Sequence, residues 1–173
     1  MTTQGKQKYM VKLLQLVFVG SLGLPSLYSQ EVKPIKTYKG IIYVSRSFSL
    51  DGAKPKKESP LIVVQDSKGY ERFLKRIPIK QISRTRPAPP NTDPLLKKPI
   101  IDFAKHTLIA VSRSSMARPI IRSVKADGNK VNIDVSFPRE FPAAHPVDIG
   151  TYTAVLVPKT EGMHLIRIED PRK

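Results

Sequence analysis

Residues 120–137 read IIRSVKADGNKVNIDVSF. Val131, Ile133, Val135 and Phe137 alternate with Asn132, Asp134 and Ser136, and this period of two sends one set of side chains to a buried face and the other to water. Upstream, Ile120 to Ala126 is another stretch of strand type, and Asp127-Gly128-Asn129 lies between the two as a turn signal. The stretch is a β-hairpin. A lone hairpin is marginal in water, so the remaining chain must extend the sheet and cover its apolar face.

Working outward, Thr107 to Ser112 reads as a strand before the hairpin. After the loop Pro138 to Gly150, Thr151 to Pro158 and His164 to Glu169 make two more, joined by Thr160 to Met163. Further upstream, Ile41 to Phe48 is rich in β-branched and aromatic residues and runs to the Asp51-Gly52 turn. Lys54 to Pro60 reads as an exposed loop. Leu61 to Gln65 is a short, mostly apolar run suited to a buried strand. Asp66 or Ser67 is placed to cap a helix, and Tyr70, Phe73, Leu74 and Ile77 then recur on one helical face until Pro78 ends it. The expected fold class is α+β to mainly β: an antiparallel sheet of about five to seven strands covered by one packed amphipathic helix. Five prolines between Arg84 and Pro99 predict a polyproline II segment, read as a stiff connection or a docking strip within a single domain spanning 40–173.

The amino terminus has a different character. The first acidic residue is Glu31. Before it, Lys6, Lys8 and Lys12 precede an apolar run from Leu13 to Leu24, followed by Pro25, Ser26, Tyr28 and Ser29. This is the layout of an export signal over residues 1–29, with cleavage after Ser29 or Ser26. The run is shorter than the roughly 20 apolar residues a spanning helix needs. The expected mature chain is therefore exported, periplasmic or extracellular, with 30–39 as a flexible lead-in and no transmembrane segment.

The chain has no cysteine, which excludes disulfides, thiolate metal sites and thiol nucleophiles. Of its 30 Lys and Arg, three fall in the leader, which holds none of the 14 Asp and Glu. Between Arg72 and Lys125 the only acids are Asp93 and Asp102. Such a field attracts anionic partners. Arg72, Lys75, Arg76, Lys80, Arg84 and Arg86 are the candidate polyanion-binding residues, with Lys68 on the same outer helix face. The alternative is that these charges merely solvate it.

At Ile101-Asp102-Phe103-Ala104-Lys105-His106-Thr107-Leu108-Ile109-Ala110-Val111 the chain resembles the C-terminal domain of the bacterial protease complex subunit PrcB family, and the resemblance runs roughly over residues 66–160. In that family this strand precedes a short loop, a hairpin, a proline-bearing loop and a strand ending in a Pro-Lys-like step. Met116 to Val124, Asn129 to Phe137, Pro138 to Pro146 and Thr151 to Lys159 resemble those parts in turn. The family commonly carries a Thr-Gly-Gly-Tyr-like turn where this sequence has Ser114-Ser115-Met116-Ala117-Arg118-Pro119. The resemblance implies an exported accessory module that binds or stabilises a protease or other envelope protein, with no chemistry and no cofactor of its own. Ser114, Ser115, Met116, Arg118 and Pro119 are the candidate partner-binding loop.

No motif for catalysis competes strongly with this reading. His106, His145 and His164 lack metal-ligand spacing. A hydrolase would have to be assembled from Asp102, His106 and the Ser114-Ser115 pair without a nucleophile-elbow motif. Phosphate-loop and dinucleotide fingerprints are absent from the sequence. Two functions from different classes stand: the protein-binding accessory module, and a cationic binder of an acidic glycan, lipid head group or nucleic acid. A purely structural envelope protein is the third.

Overall fold

The computed structural model describes residues 29–44, 59–83, 86–139 and 148–169. All but the last residue of the leader read over 1–29, the end of the strand read over 41–48, most of the 54–60 loop, Arg84 and residues 140–147 lie outside the described residues.

Eight strands, one α-helix and one 3-10 helix make up the described chain: β1 (Gln30–Glu31), β2 (Lys36–Tyr43), β3 (Leu61–Val64), α1 (Ser67–Leu74), the 3-10 helix (Pro94–Lys97), β4 (His106–Arg113), β5 (Ile120–Asp127), β6 (Lys130–Ser136), β7 (Ile149–Pro158) and β8 (Met163–Glu169). The fold is mainly β with one α-helix, as expected. The strands nevertheless divide into two four-stranded sheets, ordered β1-β5-β6-β8 and β2-β7-β4-β3. Every pair is antiparallel except β6 and β8, which run parallel.

The single sheet expected from the sequence therefore gives way to two, and the reason lies in β4 and β7. Leu108, Ile109, Ala110 and Val111 are all buried, as are Ala154, Val155, Leu156 and Val157. Strands apolar on both faces need cover on both, and a helix of 8 residues covers only one. Leu108, Ala110, Tyr152, Ala154 and Leu156 pack with Tyr70, Phe73 and Ile77 of the helical layer. On the opposite face, Ile109, Val111, Val155 and Val157 pack against Val124, Val131, Ile133 and Val135 of the hairpin sheet. The molecule is thus layered sheet, sheet, helix. Because β7 leaves the hairpin sheet for the middle one, β8 returns alongside β6 in the parallel sense.

The hairpin forms in the expected place, with a bulge between Ile121 and Ser123. Its outward face is drier than alternation implies. Asn132 and Ser136 are buried and Asp134 is half-buried, because β6 has β5 on one side and β8 on the other, and long neighbours such as Arg122 and Lys125 lean over it.

Residues 30–39, expected as a flexible lead-in, instead form β1 and the start of β2. Tyr38 of β2 faces Ala154 and is buried in the core, so the folded domain begins upstream of Gly40. The helix is capped as read: Asp66 Oδ1 accepts the Gly69 amide at 2.6 Å. Its α-helical part ends at Leu74. Arg76 and Ile77 continue with amides bonded to the carbonyls of Phe73 and Leu74, a tightening that still turns Ile77 into the core. The proline-rich segment carries the 3-10 helix and a bridge between Lys80 and Pro90, so it is tied to the domain rather than strung out as a polyproline connection.

Candidate functional site

The turn after β4 is held from below by the neighbouring strand. Thr151 Oγ1 donates to the Ser115 carbonyl at 2.9 Å, and Thr153 Oγ1 donates to the Pro119 carbonyl at 2.5 Å. Within the turn, Ser115 Oγ accepts the Ala117 amide at 3.0 Å. Both threonines are buried, so these bonds form away from water, where losing them leaves unmet polar groups. The close approach of turn and strand depends on Gly150, because a Cβ there would run into the Arg113 carbonyl. That glycine stands opposite the turn, on β7. Alongside, Arg113 Nη1 donates to the Pro138 carbonyl at 2.8 Å and its guanidinium lies over the Phe137 ring.

This anchoring sorts the candidate loop residues. Ser115 and Pro119 are buried and act as the loop's footing. Ser114, Met116 and Arg118 are exposed. Met116 is 46% exposed, and Ile120, where β5 begins, is 45% exposed, so a fixed turn presents apolar side chains to solvent beside a cation.

The candidate polyanion residues do not form one ridge. Arg72 and Lys75 are exposed on and just beyond α1, and Lys80 and Arg86 are exposed in the segment that follows. Arg76 has turned inward: its Nε and Nη2 donate to the Tyr43 carbonyl at 3.3 and 3.2 Å, while the Tyr43 amide donates to the Arg76 carbonyl at 2.8 Å. It clamps the end of the helix to the end of β2. Arg84 lies outside the described residues.

The hydrolase alternative is broken by the length of β4. His106 opens that strand and Ser114 follows its end, which separates them by roughly 25 Å of extended backbone. His106 Nδ1 instead lies 3.1 Å from the Asp102 carbonyl. His164 Nε2 pairs with Thr160 Oγ1 at 2.9 Å, and His145 lies outside the described residues. Among the described residues no group of three or more His, Cys, Asp or Glu converges to hold a metal ion, and no helix is long and apolar enough to cross a membrane.

One polar group in the core escaped sequence reasoning altogether. Asp93 is buried beneath Gly40; its Oδ1 accepts the Leu95 amide at 2.9 Å and its Oδ2 accepts the Tyr152 hydroxyl at 2.7 Å. Burial and the neighbouring carboxylate push the Tyr152 hydroxyl well above its usual range, and burial pushes the Tyr70 hydroxyl up to about 12. A lone Asp in a proline-rich stretch carries no sequence signal of such a role. The cluster fastens the 3-10 segment to β7.

No family model, no curated protein and no solved structure matches this chain.

Proposed function

We propose that the chain is a non-catalytic exported accessory module that binds or stabilises a protease or other envelope protein, as its PrcB-like stretch implies. The observation that carries this reading is the pinned turn. Met116 and Arg118 are displayed on a loop whose backbone is already fixed by Thr151 and Thr153, so docking costs little ordering entropy. Apolar side chains and arginine are also the types that anchor protein interfaces. Such contact is expected to survive salt.

The test uses the chain with a C-terminal tag, recovered after expression in a host with an export pathway. N-terminal sequencing should give Gln30 as the first residue; an intact Met1 would overturn export. Tagged protein is then mixed with an envelope extract and washed at low and high salt. One protein should stay bound through high salt, and Met116→Glu should release it. Retention by that variant would remove the loop from the interface.

A second reading draws on Arg72, Lys75, Lys80 and Arg86, all exposed on α1 or in the segment that follows it. On it, the module holds an acidic glycan, lipid head group or nucleic acid through this basic surface. Binding would then fall steeply with salt, and reversing these four charges would abolish it while leaving the Met116→Glu variant unaffected.

A further inference from the structure

A groove of about 550 Å³ opens where the end of β2 and the start of β7 meet the segment after α1. Its floor is apolar: Tyr43, Ile79, Ile82 and Ile149 line it. Ile79 is 79% exposed, Tyr43 44% and Ile82 40%. Exposed large apolar side chains scattered singly need no explanation, but a group gathered in one concavity marks a binding surface. Lys75 and Lys80 line the same groove, and none of its lining residues is acidic.

The backbone adds a direction to this chemistry. The Gln81 amide donates to the Pro89 carbonyl at 2.9 Å, and the Asn91 amide donates to the Ile79 carbonyl at 2.8 Å. In an antiparallel bridge of this kind the intervening residue turns its own amide and carbonyl to the opposite edge. Lys80 therefore turns one amide and one carbonyl away from Pro90, where an added extended segment can meet them.

We infer that this groove is a docking slot for an extended segment of a partner protein in which apolar side chains alternate with carboxylates. The apolar side chains sit on Tyr43, Ile79 and Ile82, and the carboxylates meet Lys75 and Lys80. A bilayer surface would satisfy the lysines but would not read a single strand edge, and a nucleic acid would leave the isoleucines uncovered. The slot is distinct from the turn at Ser114 to Pro119 and does not depend on that turn being an interface.

The experiment is fluorescence anisotropy on the full chain with short labelled peptides of alternating leucine and glutamate, of leucine and lysine, and of serine and glutamate. The leucine-glutamate peptide should bind saturably, with each of the others weaker by at least roughly tenfold. Ile79→Asp and Lys80→Glu should each weaken it by roughly tenfold. Both side chains are exposed, so both variants should unfold at the same temperature as the parent; where one does not, Lys75→Glu replaces it. Met116→Glu should leave peptide affinity unchanged. Equal binding of the serine-glutamate peptide would overturn the apolar floor, and binding indifferent to Ile79→Asp and Lys80→Glu would overturn the location. Phosphatidylglycerol vesicles retained in a Lys80-dependent way, with no peptide bound, would assign the slot to a membrane and overturn the inference.

Discussion

The hydroxyl of Tyr152 lies 2.7 Å from Asp93 Oδ2, with both residues buried. This bond joins the central strand β7 to a segment with little regular structure of its own. Removing the hydroxyl by Tyr152→Phe leaves a buried carboxylate with one partner fewer, at an expected cost of about 1.5–3 kcal/mol. Asp93→Ala should cost at least as much, and the double variant less than the sum of the two. Urea denaturation of the three variants measures the coupling, and strict additivity would show that the pair is not energetically linked.

The same cluster sets a limit at high pH. Among the described residues the buried Tyr70 hydroxyl has no hydrogen-bond partner, and burial raises its pKa from the usual 10.0 to about 12. The unfolded chain therefore releases this proton first, so the stabilisation is complete below pH 10 and is lost as pH rises towards 12. Tyr70→Phe should be more resistant to alkaline unfolding than the parent. Tyrosinate absorbance should rise together with loss of the fold; ionisation of Tyr70 in the intact domain near pH 10 would contradict this.

Two glycines stand at close approaches of different kinds. A Cβ on Gly40 would meet the Asp93 carboxylate, a side chain, whereas one on Gly150 would meet the Arg113 carbonyl, which belongs to the backbone. Gly40→Ala should cost about 1–3 kcal/mol and should be partly rescued by shortening the opposing side chain with Asp93→Ala. Gly150→Ala should cost more and find no such rescue, since moving Arg113 disturbs the β4–β7 ladder. Thermal unfolding of these variants separates the cases.

The turn after β4 should loosen before it unfolds. Thr151→Val and Thr153→Val each remove one buried donor and are expected to cost about 1–3 kcal/mol. Limited proteolysis should then cut near Arg118 faster than in the parent while the sheet remains folded. Met116→Glu, altering an exposed side chain, should change neither stability nor cleavage. Equal cleavage of all these proteins would show that the threonines do not hold the loop.

Acid should weaken the domain through His164. Burial holds this imidazole below its usual 6.5, against a smaller opposing hydrogen bond with the Gly162 backbone. The unfolded chain then binds the proton more readily, so stability is full above pH 6.5 and falls as pH drops through the lower folded-state value. His164→Gln should flatten the denaturation midpoint over that window. A second decline, below pH 3.8, belongs to Asp134, lowered by the Ser123 hydroxyl at 2.6 Å and by Lys125, and Ser123→Ala should make that decline smaller.

Local pattern made much of this architecture legible. Alternation at Val131, Ile133 and Val135 located the hairpin, and the spacing of Tyr70, Phe73, Leu74 and Ile77 located the helix with its buried face. Pairing between distant segments was harder to read. The apolar runs Leu108 to Val111 and Ala154 to Val157 announce strands buried on both faces, yet nothing in either run names the second sheet that covers them. Lys33, Pro34, Lys36 and Lys39 made residues 30–39 resemble a solvated tail, because the edge strand β2 keeps its polar side chains in water while Tyr38, Gly40 and Ile42 face the core. At the candidate sites, sequence supplied the residue types but not their exposure. Ser115, Pro119 and Arg76 proved to be fastenings, and the groove isoleucines sat in a stretch with no recognisable period.

The position of β7 also governs when this protein can fold. Tyr38 of β2 pairs with Ala154 and Thr107 of β4 pairs with Val157, so the earlier strands of that sheet wait for a partner near the end of the chain. As the polypeptide is synthesised, β2 has no ladder to join and β4 has only β3 until residues 149–158 emerge. Closing such long loops is slow. The sheet of β2, β7, β4 and β3 therefore closes only once residues 149–158 have been made.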